Sequence, residues 1–164
     1  LLTVPEYYSA MMNEDRTFDE IDLRILEILQ EKARIPNAEV ARQVGMAPSA
    51  ILERIRKLEQ QGIIQGYEVR LNPAHFGQGL IAFVLVQVTG AADVVQQLAC
   101  IPGAQEVFQV SGDASYLIKL RVTSLQELGR CLREEFAAIS GVSQLNTQIV
   151  LDILKETRKI NLNQ

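Results

Sequence analysis

Apolar residues recur at helical spacing through residues 19–33, where Ile21, Ile25, Ile28 and Leu29 share a face that Leu23 and Leu26 widen. Thr17 or Asp19 suits the cap of this helix, and Pro36 lies just past its end, where a helix cannot continue. Residues 37–44 read as a second, shorter helix, with Asn37 as N-cap and Gly45 as the residue that ends it. Met46 and Ala47 then lead to Pro48, whose missing N–H is tolerated in the first turn of a helix. That third helix, residues 48–61, turns Ile51, Ile55 and Leu58 inward and is stopped by Gly62. Two helices joined by a short turn containing glycine form a helix-turn-helix pattern. Residues 63–71 (IIQGYEVRL) read as two short strands around Gly66, a wing. Pro73 and two glycines mark residues 72–79 as a linker.

Beyond the linker the period changes from helical to alternating. Residues 80–89 (LIAFVLVQVT) predict a strand with Val84, Val86 and Val88 on one face and Phe83 and Leu85 on the other. A helix over 91–101 ends at Pro102-Gly103. Residues 104–111 form a strand setting Val107, with Gln105, against Phe108 and Val110, and Gly112-Asp113 turns the chain. In residues 115–122, Tyr116, Ile118, Leu120 and Val122 alternate with Leu117, Lys119 and Arg121. Ser124 caps a long helix to Ile139, a strand spans 142–154, and residues 157–164 form a tail. The order strand, helix, strand, strand, helix, strand is the ferredoxin-like βαββαβ arrangement, so the fold class is α+β. Apolar residues on both faces of the first strand require cover on each side of the sheet; helices supply one, and a second subunit is the expected other. The domains read as a tail (1–17), a winged helix-turn-helix (18–71), a linker (72–79) and an α+β effector and oligomerisation domain (80–164).

Composition narrows the picture. Hydrophobic residues make up 48% and charged residues 22% of 164, an ordinary globular balance. No apolar run approaches the ~20 residues of a membrane span, so no membrane partner is expected. The first dozen residues carry Glu6 and no Lys or Arg, a poor signal peptide, with Met11 or Met12 a candidate natural start. The two cysteines, Cys100 and Cys131, form no C-x-x-C motif and read as buried hydrophobes in a reducing cytoplasm. No metal or cofactor motif is present, and the single histidine, His75, lies in the linker.

The net charge of −4 demands that positive charge be local if nucleic acid is the partner. The outward set of the third helix is Ser49, Ala50, Leu52, Glu53, Arg54, Arg56, Lys57 and Gln60, after Pro48. Small residues at its start allow close approach to base edges in a major groove. Arg54, Arg56 and Lys57 suit phosphates or guanine edges, and Glu53 suits a cytosine amine or Lys57 four residues on. With Glu53 and Glu59 subtracted, the helix is only weakly positive. One such unit would hold DNA weakly, which argues for two or more units acting together.

These residues resemble the Lrp/AsnC (feast/famine) family of prokaryotic transcription regulators. Asp19, Asp22, Ile25 and Leu26 stand as in its D-x-x-D-x-x-I-L helix, RIPNAEVARQVGMAPS matches its helix-turn-helix, and RIRKLEQQGIIQGY matches its wing segment. The resemblance runs from about Phe18 to Leu154. It implies a C-terminal domain of RAM type, double-stranded DNA as partner, a homodimer assembling to a tetramer or octamer, and an amino-acid effector. The implied effector site is Gly112, Asp113, Ser115 and Tyr116, with Asn146 and Thr147 as its far wall; read alone, the loop is equally a plain β-turn. Two departures stand out. Ala47 replaces a capping Ser, a loss of about 1 kcal/mol that Ser49 partly makes good. Ser115 replaces an Asp, and a neutral hydroxyl takes an ammonium less strongly, although Asp113 lies two residues away. Haem-pathway decarboxylases resemble the same architecture, and a sensing module without DNA binding is a further alternative.

Overall fold

The computed structural model describes residues 19–90 and 93–162. The predicted tail, the alternative cap Thr17, Phe18 and the start of the helix at Ala91 lie outside the described residues. The chain forms two units, one comprising Leu1–Val69 with Thr157–Gln164 and the other Arg70–Glu156.

Among its described residues the first unit holds three helices: α1 (Glu20–Glu31), α2 (Asn37–Val44) and α3 (Pro48–Gln60). Asp19 caps α1 through its side chain, which accepts from the Asp22 N–H. Pro36 rather than Asn37 occupies the N-cap of α2, because Asn37 already has helical geometry and makes no side-chain cap. Gly45, at φ 78°, closes α2 in the left-handed conformation. Val40, Ile25, Ile51, Ile55 and Leu58 meet in one core, with Ile63 and Ile64 packed against it.

The two wing strands are not formed. The amides of Ile63 and Ile64 both donate to the Leu58 carbonyl, closing the end of α3 and withdrawing both donors from a ladder. Gly66 lacks the positive φ that a two-residue hairpin needs. Residues 65–71 continue without regular structure. The C-terminal tail, read from sequence as part of the second domain, packs on α1 instead. The Gln30 side chain accepts from the Ile160 amide at 2.8 Å and donates to the Ile160 carbonyl at 3.3 Å, and Lys159 pairs with Glu31 at 2.6 Å.

The second unit is a four-stranded antiparallel sheet in the order β2-β3-β1-β4, the ferredoxin-like order, from β1 (Leu80–Val88), β2 (Ala104–Gln109), β3 (Tyr116–Val122) and β4 (Val142–Ile149). Helices α4 (Val94–Ala99) and α5 (Leu125–Cys131) cover one face. Ala82, Val84, Val86, Ile118, Leu120 and Val122 bury there against Leu98, Leu128 and Phe136. The opposite rows, Phe83 and Leu85 on β1 and Leu117 on β3, are half-buried. The predicted linker folds with this unit: Pro73–Phe76 is a 3₁₀ turn, and the Gln78 carbonyl accepts from Arg121.

Several local readings change. The long helix after Ser124 switches at Leu132–Phe136 to a π turn, whose extra width per turn accompanies the complete burial of Phe136. A bulge between Ala104 and Glu106 shifts the phase of β2, so Gln105 is exposed and bonds Arg121 rather than sharing a face with Val107. The last strand stops at Ile149. Cys131 is buried but Cys100 is exposed, because it follows the final turn of α4, where Leu98 takes the inward position.

Candidate nucleic-acid interface and ligand cleft

The register of α3 follows from its buried residues. With Ile51, Ile55 and Leu58 inward, Pro48, Ser49, Glu53, Arg56 and Lys57 are exposed on the helix surface. Ala47 stands at the N-cap with no side-chain hydrogen bond, so the first amides of α3 point outward unsatisfied by a side chain. Among the described residues, neither Arg56 nor Lys57 enters an ion pair, and the Glu53–Lys57 pair suggested by spacing does not form.

Two members of the predicted surface behave differently. Leu52 is half-buried and turns into a recess it shares with Leu29, Ala33, Ile35 and Tyr67, with Arg56 at its border. Tyr67 donates to Glu59 at 3.0 Å, and burial together with that bond pushes its phenol up to about 12. Arg54 does not face outward with Arg56. Its Nη1 lies 2.6 Å from Asp19 Oδ2 and 2.7 Å from Asp22 Oδ1, and its side chain is only 28% exposed. Bonds to Asp22 and then Asp19 raise the guanidinium pKa above its ordinary value. The Asp19 carboxyl is held below its usual range by the Asp22 amide first and by Arg54 second. Spacing along one helix could not reveal this, because both partners stand at the N-terminal end of α1, more than thirty residues earlier.

The second candidate site lies on the sheet face away from the helices. A cleft of about 400 Å³ opens there between the β2–β3 loop and β4. Leu85 and Gln87 form its floor from β1, Val110, Ser111, Asp113 and Ala114 come from the loop, and Gln144, Asn146 and Gln148 from β4. Of the six residues named from sequence, Asp113 and Asn146 line this cleft. Gly112, at φ 113°, turns the loop beside it. Ser115 is committed to the fold: its hydroxyl accepts from the Val88 amide at 3.2 Å, and its own amide donates to the Val86 carbonyl. Tyr116 packs against the inner core instead. Thr147 pairs with Val84 in register and shares its helix-covered face, opposite to that of Asn146. Gln87, Gln144 and Gln148 were missed, although amides at every second position of β4 are a legible two-residue period.

Residues 18–65 match the family described as winged helix-turn-helix DNA-binding, and residues 81–160 the one described as Lrp/AsnC ligand binding domain. The fold and both matches define a DNA-binding winged helix-turn-helix protein with a ligand-binding domain. Leucine-responsive regulatory proteins of Salmonella typhimurium and Escherichia coli are 37% identical over 150 residues, covering 88% of this chain and 92% of theirs. A transcriptional regulator of Neisseria meningitidis, solved as an L-Met complex, superposes with a TM-score of 0.86 at 29% identity, covering 90% of this chain and 98% of that one. Escherichia coli AsnC superposes with a TM-score of 0.80 at 30% identity, over 88% of this chain and 98% of its own. The chain belongs to the Lrp/AsnC family of transcription regulators. Its relatives are named as regulators, which sets it apart from enzymes of similar architecture. No helix among the described residues is long and apolar enough to cross a membrane.

Proposed function

We propose that this regulator reads operator DNA with α3 and adjusts its affinity when an amino acid occupies the cleft beside Asp113. The observation that carries the reading is that Arg56 and Lys57 are exposed and, among the described residues, without an ion-pair partner, on a helix whose opposite side is anchored in the core. Ser49 and Pro48 give a slim leading end, Arg56 and Lys57 meet phosphates or guanine edges, and Glu53 faces the same groove.

The ligand half of the proposal rests on chemistry in the cleft. Among the described residues, Asp113 is its only ionisable lining side chain and suits an ammonium group. Neutral amides from Gln144, Asn146 and Gln148 can donate to a carboxylate, while Leu85 and Val110 offer apolar contact. The L-Met complex of the Neisseria relative supports an amino acid as the class. A second copy covering Phe83, Leu85 and Leu117 would bring two α3 helices onto one duplex, about one DNA turn or a multiple apart. Assembly to a tetramer or octamer, and residence in the cytoplasm, belong to the same proposal.

Fluorescence anisotropy with a duplex enriched by the protein from random sequences tests the DNA half. Affinity should fall steeply with salt, and Arg56→Ala or Lys57→Ala should each reduce the slope of log K against log salt by about one. A flat salt dependence would instead favour a sensing module without DNA binding. Thermal-shift screening with the twenty amino acids tests the cleft: a stabilising amino acid should lose its effect in Asp113→Ala, and a shift retained there places the ligand elsewhere.

A further inference from the structure

We infer that Arg54 is a positioning residue, which sets the angle of α3 by gripping the two aspartates at the start of α1. The inference rests on the reading of α3 as the DNA-facing helix. One guanidinium nitrogen reaches both carboxylates, at 2.6 Å and 2.7 Å. Asp19 meanwhile uses its other oxygen to cap α1, accepting from the Asp22 amide at 2.7 Å. The first turn of α1 and the middle of α3 are thereby joined through one carboxylate. Elsewhere these helices meet through Ile25, Ile28, Ile51, Ile55 and Leu58 in a common core. Such apolar contact is non-directional and by itself leaves small adjustments of one helix against the other open. A charge-assisted hydrogen bond is directional and does not.

Position on the helix separates Arg54 from its neighbours. Its side chain is 28% exposed and doubly paired, whereas Arg56 and Lys57 are exposed and, among the described residues, have no ion-pair partner. Turning Nη1 towards DNA would require Arg54 to release both aspartates. As an ion pair in partial contact with solvent it adds little to global stability. Its effect lies in where it holds Ser49, Arg56 and Lys57.

The test uses the full-length protein, a duplex enriched by it from random sequences and an unselected random duplex, each titrated across a salt series. Variants are Arg54→Ala, the pair Asp19→Asn with Asp22→Asn, and Arg56→Ala as reference. Asn at position 19 keeps a capping oxygen, so α1 is retained if Arg54→Ala folds poorly; circular dichroism checks folding. Arg54→Ala and the double Asn variant should each weaken binding to the enriched duplex about tenfold, the scale of one lost base contact. Binding to the random duplex should change much less, and the salt slope should match the parent. Removing two acidic charges by itself would strengthen binding, so a loss in the Asn pair has the opposite sign to simple electrostatics. A slope reduced by about one in Arg54→Ala, with both duplexes weakened alike, would show a phosphate contact and overturn the inference. Parent-level affinity for the enriched duplex in folded variants would also overturn it, leaving the brace merely structural. If Arg56→Ala too leaves the slope and the affinity unchanged, the DNA-facing reading of α3 itself fails.

Discussion

Ala47 leaves the N-terminus of α3 without a side-chain acceptor, at the point where a serine or aspartate oxygen would take a free amide. Ala47→Ser should stabilise the protein by about 1 kcal/mol, read as a higher urea midpoint at unchanged slope. The opposite outcome is expected at Gly103. Its φ is +82°, and an added Cβ would lie 2.4 Å from the Arg121 carbonyl oxygen, which also accepts no relief from a flexible side chain. Gly103→Ala should therefore destabilise by roughly 1–3 kcal/mol in the same assay. Glu39 provides a pH signature. Hydrogen bonds from Arg42 and then Gln43 hold its carboxyl at about 2, against an ordinary 4.5. A lowered folded-state pKa contributes stability above the ordinary value and loses it as pH falls from about 4.5 towards 2. Thermal midpoints followed down through that window should drop less steeply in Glu39→Gln than in the parent; superimposable curves would show the pair to be inert.

At the scale of elements, regular periods were legible and interruptions were not. The inward rows of α1, α3, β1 and β3 were readable because burial on one face leaves its period in the sequence. The wing strands, the single long helix after Ser124 and the reach of the last strand were misread, because each was decided by where backbone hydrogen bonds go. Ile63 and Ile64 give theirs to Leu58, and Leu132–Phe136 adopts the wider π spacing. The tail on α1 is the element with the clearest consequence. Removing residues 157–164 frees the Gln30 amide and Glu31, so the first unit should lose roughly 1 kcal/mol, while Gln30→Ala should reproduce most of the loss. Hydrogen exchange in α1 is the direct readout; unchanged protection there would mean that the tail contributes nothing to the helix.

For the whole molecule, the sheet decides what association is open to it. One face is sealed by α4 and α5, while Phe83, Leu85 and Leu117 on the other remain half-exposed, in addition to Phe108 at 46%. Leu117→Glu places a charge in the middle of that apolar row and should reduce the mass measured by light scattering to that of the 18.3 kDa chain. It should also weaken DNA binding, since one weakly positive α3 holds few phosphates. An unchanged mass would rule this face out as the proposed subunit interface.

The amino-acid sequence alone determined the class of each half, the helix that faces outward and the inner face of the sheet. These depend on local periods, and burial imposes such periods wherever an element has one dry side. Tertiary structure decided the partners of individual polar groups. Arg54 belongs to α1, Ser115 to the Val88 amide, Tyr116 and Thr147 to the face opposite Asn146, and the tail to Gln30. A hydrogen bond joins atoms that meet only after folding, often across many tens of residues, and nothing in the spacing along one element records which distant group will arrive there.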